Sequence, residues 1–274
     1  MPYRVNTAAV SVWTNLPLFL LLLLPPPISS ADDSAADARS HPLNAAERTA
    51  LTQKYQTLLD RLPAPKAGDA DAISVHSRRG DALFFLSRFP EAVRAYQAMV
   101  TLDKSLDASH WRLGIALFFA EQPQQAVQQF EKYHSFDDVD RENGIWRYLS
   151  QYRATDGTTA QKELLRYEKD DREPFPAVYR LFDGSLTAEA ALAGISDQLP
   201  ASERDKRLFY TELYIGMHMV VQKKPEQAKK YLSRAVSRQW PRGNGFGPNY
   251  MWHVGRVQLE ALLSRPTDTS LKPE

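Results

Sequence analysis

The chain has 274 residues, enough for one or two domains with a sizeable core. Its 34 basic and 33 acidic side chains leave a formal charge of +1, so no global field favours nucleic acid or an anionic membrane. There is no cysteine, which excludes disulfides, thiol catalysis, thiolate metal sites and lipidation on cysteine.

Residues 1–31 have the layout of a secretory signal peptide. Arg4 makes the start basic, Leu16 to Leu24 is an apolar run, and Pro25, Pro26 and Pro27 break any helix there. Ser29 and Ala31 put small residues at −3 and −1 of a cut after Ala31. The competing reading is an uncleaved anchor. Extended back to Val10, however, the run is interrupted by Ser11, Thr14, Asn15 and Pro17. A spanning helix needs about 20 apolar residues. The expectation is an exported chain, periplasmic or secreted, tethered to a membrane only if the segment is retained. Residues 32–43 read as a polar linker.

A leading helix starts after Asn44, an N-cap residue with Glu47 three positions on. Leu51, Tyr55, Leu58, Leu59 and Leu62 form its apolar stripe, and Pro63 and Pro65 end it.

From there a period of 34 residues runs through the chain. Gly80 and Gly114 are one period apart, as are Ala92 and Ala126, and Tyr96 and Phe130; Gly216 follows Gly114 by three periods. Ala160 and Ala228 continue the alanine phase, and Leu164 and Leu232 the bulky one. Each unit has helical spacing and no strand-like alternation. The small residue on one helix is expected to face the alanine on the next, with the bulky residue filling the seam to the following unit. Turns containing Pro90, Pro123 and Pro225 separate the helices of a pair.

This pattern resembles the tetratricopeptide repeat (TPR). The residues that carry it are Gly80, Leu83, Ala92 and Tyr96; Leu113, Gly114, Leu117, Ala126 and Phe130; and Gly216, Met219, Ala228, Leu232 and Ala235. Departures are His76 and His110 in place of the family's Trp, Lys104 and Asp138 in place of its closing Pro, and Tyr148 at the small-residue position of the third unit. The resemblance implies an all-α superhelical solenoid of antiparallel helix pairs with leading and capping helices. The units fall at about 73–106, 107–140, 141–173, 174–206 (degenerate) and 209–240, within a domain spanning 44–263. A capping helix covers 249–263, and 264–274 is a polar tail. The order of parts is similar to NlpI-type TPR proteins of the bacterial envelope, lipoproteins that act as adaptors for a periplasmic protease and for cell-wall hydrolases. The missing lipid-bearing cysteine is a direct departure from them.

In such an array the first helices line a concave groove. Its expected lining is Ser77, Asp81, Phe84 and Phe85 in the first unit, Trp111, Ile115, Phe118 and Phe119 in the second, Tyr152 in the third, and Tyr210 and Met217 in the fifth. An open apolar groove would take a partner helix or extended segment. Alternatively the terminal helices fold into it and these side chains are core.

No catalytic constellation emerges, and neither a metal nor a cofactor is expected. No two of the six histidines stand as a ligand pair on one helical face; His76 and His110, one period apart, read as substitutes for packing aromatics. The acidic clusters at 137–140 and 168–171 read as solvated turns about one period apart, and the Gly243, Gly245, Gly247 run reads as a linker. Lys223, Lys224, Lys229 and Lys230 read as a solvated face. The leading expectation is therefore a non-enzymatic adaptor binding proteins or peptides, with no nucleic acid and no membrane span once the signal is removed. A structural homodimer, or an enzyme with a site at 240–255 using His253, are the alternatives.

Overall fold

A computed structural model of the protein describes residues 41–264, apart from Ala67 and Asp170. The signal segment, the linker up to residue 40 and the tail from 265 lie outside the described residues. Among those described the fold is all-helical, without strands.

The leading helix α1 (Ala45–Arg61) starts on a full capping box. The Asn44 side chain accepts from the Glu47 N–H, and the Glu47 carboxylate accepts from the Asn44 N–H, both at 2.9 Å. Next come α2 (Ala72–Phe85) and α3 (Phe89–Leu102), then α4 (Trp111–Phe119) and α5 (Pro123–Phe136). The middle of the chain forms α6 (Arg141–Ala154) and three short helices, α7 (Gly157–Lys162), α8 (Phe175–Phe182) and α9 (Ala188–Ala193). A 21-residue helix α10 (Ala201–Val221) pairs with α11 (Pro225–Ser237). The one-turn α12 (Trp240–Gly243) leads into α13 (Phe246–Leu263), which begins three residues earlier than the spacing predicts because the glycine run is short and Gly245 supplies the N-cap with φ 94°.

Three pairs, α2/α3, α4/α5 and α10/α11, close through the same backbone turn. Ser87, Glu121 and Lys223 sit in the left-handed region at φ 60°, 57° and 58°, although none is glycine. In each case the next residue's N–H reaches back to the first helix: Arg88 to the Leu83 carbonyl (2.9 Å), Gln122 to Leu117 (3.0 Å) and Lys224 to Met219 (2.9 Å). These bonds offset the roughly 1–2 kcal/mol that left-handed backbone costs a residue with a Cβ. Positions 87 and 121 are one period apart and 223 lies three periods further on, so the turn keeps the period of the sequence.

The packing inside a pair sharpens one expectation. The atoms nearest each glycine are those of the bulky side chain on its own partner helix, so that side chain is not confined to the seam with the following unit. A Cβ on Gly114 would stand 2.6 Å from the Phe130 ring, one on Gly216 2.7 Å from Leu232, and one on Gly80 would overlap Tyr96. All three bulky residues are fully buried, as are Ala92, Ala126 and Ala228 beside them. The ring thus lies on bare backbone. In the third pair Tyr148 replaces the glycine and is itself buried. Its ring packs on Phe182 (5.0 Å) and on His218 (5.6 Å), and its partner helix α7 is cut to six residues.

Three helices run through the centre. In α6 residues 143–151, in α10 residues 208–217 and in α13 residues 250–259 are buried without a break, so each helix is covered on every side. The shortness of α8 and α9 lets α10 pack directly on α6, and α13 packs on both α11 and α2. The last helix therefore touches the first pair, and one continuous core joins Leu43 to Leu262.

The seat geometry gives a direct test. Gly114→Ala is expected to destabilise the chain by about 1–3 kcal/mol through overpacking against Phe130. Shortening the ring in the same chain, Gly114→Ala with Phe130→Leu, recovers part of the loss in a urea melt.

Candidate functional site

The side of the first two pairs expected as a groove is occupied. Helix α13 packs against it. Tyr250 stacks on Phe84 (ring centroids 5.2 Å, planes 24° apart), touches Phe85 at 5.2 Å and meets Trp111 edge-on at 4.9 Å. One turn along, His253 stacks on Phe85 at 4.0 Å, and Tyr55 of α1 closes over the same ring at 4.9 Å. Arg256 donates through Nη2 to the Phe85 carbonyl.

The groove residues are accordingly interior. Phe84, Ile115, Phe118 and Met217 are at most 1% exposed, and Phe85, Phe119 and Tyr210 are also buried. Phe118 carries the Arg153 guanidinium over its face at 3.8 Å, and Tyr210 packs on Phe175 at 5.1 Å. Trp111 and Tyr152 are half-buried. Ser77 and Asp81 are half-buried and tied to the next pair, where Arg112 donates to Ser77 Oγ (3.0 Å) and to Asp81 Oδ1 (2.7 Å). The Tyr96 hydroxyl donates to the same carboxylate at 2.7 Å, so Tyr250 is the donor in its 3.3 Å contact with Tyr96. Of the two arrangements the sequence allows, the filled groove is the one present. The physical reason is the aromatic content of α13, which removes the lining from water more completely than solvent-facing helices would.

His253 is 1% exposed, and both ring nitrogens are engaged. Nδ1 accepts from Arg256 Nε (3.1 Å), which leaves the proton on Nε2 to donate to the Tyr55 oxygen (2.7 Å). Burial, then the Arg256 charge, hold the ring well below its ordinary pKa, so it is neutral. The alternative of an enzyme built on this residue finds it sealed in the core. His110 caps α4 through its Nδ1, which accepts from the Leu113 N–H at 3.2 Å, and packs on Tyr96; burial draws it down to about 4.

The two acidic clusters are not separate solvated turns. Asp140, Glu142 and Asp171 converge on Arg172, at 3.4 Å, 2.6 Å and 3.1 Å. The Asp140 side chain caps α6 by accepting from the Glu142 N–H (3.1 Å), and Asp171 accepts from the Arg141 N–H (3.0 Å). From the other side the Tyr214 hydroxyl of α10 donates to Glu142 and itself accepts from Trp146 Nε1 (3.2 Å). Three carboxylates around one guanidinium leave an excess of negative charge. Burial pushes the Glu142 carboxyl up to about 7 against the pull of Arg172, and Asp140 adds to the rise. Spacing alone hid this cluster, since 31 residues separate Asp140 from Asp171 and α10 supplies the last partner; the cue available was Arg172 directly after the second acidic run.

A cavity of about 870 Å³ lies beside the start of α10 and α12. Its arginines are already neutralised, Arg204 by Asp197 (2.6 Å) and Arg238 by Glu212 (2.8 Å). Among the described residues no group of three His, Asp or Glu side chains is placed to hold a metal ion, and no helix is long and apolar enough to cross a membrane. No protein-family profile matches the chain.

Two outcomes follow from this geometry. Tyr250→Ala is expected to cost about 3–5 kcal/mol in a chemical melt, and Phe118→Glu, which buries a charge, to abolish the cooperative transition. The Glu142 carboxyl titrates near 4.5 when unfolded and near 7 when folded. Its stabilising effect is present below about 4.5 and is lost as pH rises through 7, on the order of 3 kcal/mol. His110 and His218, both drawn from 6.5 down to about 4 mainly by burial, oppose it: their effect is full above 6.5 and is lost as pH falls through 4. The Tm of Glu142→Gln minus that of the wild type isolates the carboxyl. It should grow in the variant's favour from pH 5 to pH 8, and a flat difference assigns the titration elsewhere.

Proposed function

We propose that this protein is a TPR-type helical-repeat scaffold, exported from the cytoplasm, that works by binding other proteins and bringing them together without chemistry of its own. Support for the repeat reading comes from three features in the same 34-residue register: the left-handed turns at Ser87, Glu121 and Lys223, the glycine seats at Gly80, Gly114 and Gly216, and the alanines beside them. The export part rests on the layout of residues 1–31.

Because α13 fills the concave side, partner recognition moves to an edge. The observation that carries this is the exposure of Leu102 (52%) and Phe136 (63%). They are the final residues of α3 and α5 and stand one period apart, so two successive units present a large apolar side chain from the same repeat position. Apolar side chains repeated along one edge suit a protein partner that spans both units.

Leu102→Ser with Phe136→Ser should leave the melting temperature nearly unchanged, since both side chains are exposed. The pair should lower crosslinked capture of partners from an envelope extract by about tenfold or more. Unchanged capture removes the edge from consideration. Loss of a concentration-dependent dimer in sedimentation, in place of loss of capture, makes the partner a second copy of the chain.

A further inference from the structure

A second cavity, of about 530 Å³, opens between α7, α8 and the connection at 163–173. Its lining holds Arg141, Lys162, Arg166 and Arg180 against a single acid, Asp183. Arg141 is committed to the fold. It is buried, donates to the Lys169 carbonyl at 2.6 Å, and lies across the Tyr167 ring at 5.4 Å. Lys162, Arg166 and Arg180 are exposed and form no ion pair among the described residues. Arg180 donates to the neutral Ser185 hydroxyl at 3.2 Å, and Asp183 accepts from the Ser185 N–H at 2.7 Å.

This is unusual for the molecule. Among the described residues most of the basic side chains lining its other cavities are matched, as Arg204, Arg238 and Lys132 are. Three unmatched cations around one opening raise the local potential and draw a counter-ion. The wall beneath them is apolar and aromatic, formed by Leu164, Leu165, Pro176, Tyr167 and Tyr179. The Tyr179 hydroxyl is fixed on the Leu165 carbonyl at 2.6 Å, so this wall is held in place. Ligand pockets fall at about 300–1,000 Å³, with an apolar lining and a few convergent polar groups. Guanidinium forks match phosphate oxygens in particular.

We propose that this cavity binds a small organic anion: a phosphate monoester on an aromatic or apolar body, its phosphate held by Arg166, Arg180 and Lys162 and its body against Tyr167 and Tyr179. The site is independent of the adaptor reading, since it uses no residue of the α3 and α5 edge.

The test is calorimetric titration of the full chain with phenyl phosphate at low salt. Saturable one-to-one binding is expected. Arg166→Ala with Arg180→Ala should weaken it at least about tenfold, corresponding to the loss of one charge-assisted pair. Both side chains are exposed, so an unchanged Tm separates lost binding from lost fold. Lys223→Ala with Lys224→Ala, outside the cavity, should bind as the wild type does. Benzyl alcohol, which lacks the charge, should not bind. Absence of saturable heat, equal affinity in the arginine variant, or equal weakening in the lysine variant each overturns the site. Where phenyl phosphate binds, competition by phosphatidic acid vesicles assigns the phosphate to a lipid headgroup, and no competition assigns a soluble ligand.

Discussion

The structure depends on one contact, the packing of α13 against the aromatic face of the first pairs. Tyr250 and His253 stack on Phe84 and Phe85, with Tyr55 closing from α1. A large aromatic takes about 150–250 Å² out of water, worth about 4–6 kcal/mol at 25 cal/mol per Å² before the entropy of ordering. Several such side chains on a single helix make the closed form far more favourable than an exposed apolar face. The hydrogen bonds add direction. The relay from Tyr250 through Tyr96 ends on Asp81, whose carboxylate is paired with Arg112.

The closure rests on the repeat geometry beneath it. Each glycine lets a ring or a leucine lie on bare backbone, which draws the two helices of a pair together. Each left-handed turn fixes the angle at which the second helix leaves the first. Where the pattern lapses, at Tyr148 and in the shortened α7 to α9, α10 packs directly on α6.

Closure redistributes the places where the surface can act. The aromatic side chains with most to offer a partner are consumed inside, leaving Leu102, Phe136 and Phe246 as the large apolar side chains exposed among the described residues. Polar chemistry is likewise displaced to the joints between elements. The Glu142 cluster ties the start of α6, Asp171, Arg172 and α10 into one joint, and the burial of Glu142, with Asp140 beside it, raises that carboxyl toward neutrality.

Local order was legible in the sequence because it is set by near neighbours. The capping box at Asn44 and Glu47, the break after α1, and the spacing of Gly80, Gly114 and Gly216 each follow from residues within one or two helices of each other. So does the all-helical class. That each glycine seats the bulky side chain of its own pair was not legible, because apolar periodicity marks a face without naming its occupant. The candidate groove was legible as a set of residues, from Ser77 to Met217, but not as open or filled. That choice depends on α13, about 160 residues downstream of α2, and on whether its aromatic face outweighs solvent exposure. The Glu142 cluster was hidden for the same reason, since its partners come from three parts of the chain. The sequence alone determined the helices and their repeat, through local hydrogen bonding and periodic burial. Only the tertiary structure decided which apolar surfaces were spent on the core and which were left for a partner, because that balance is struck between elements far apart in the chain.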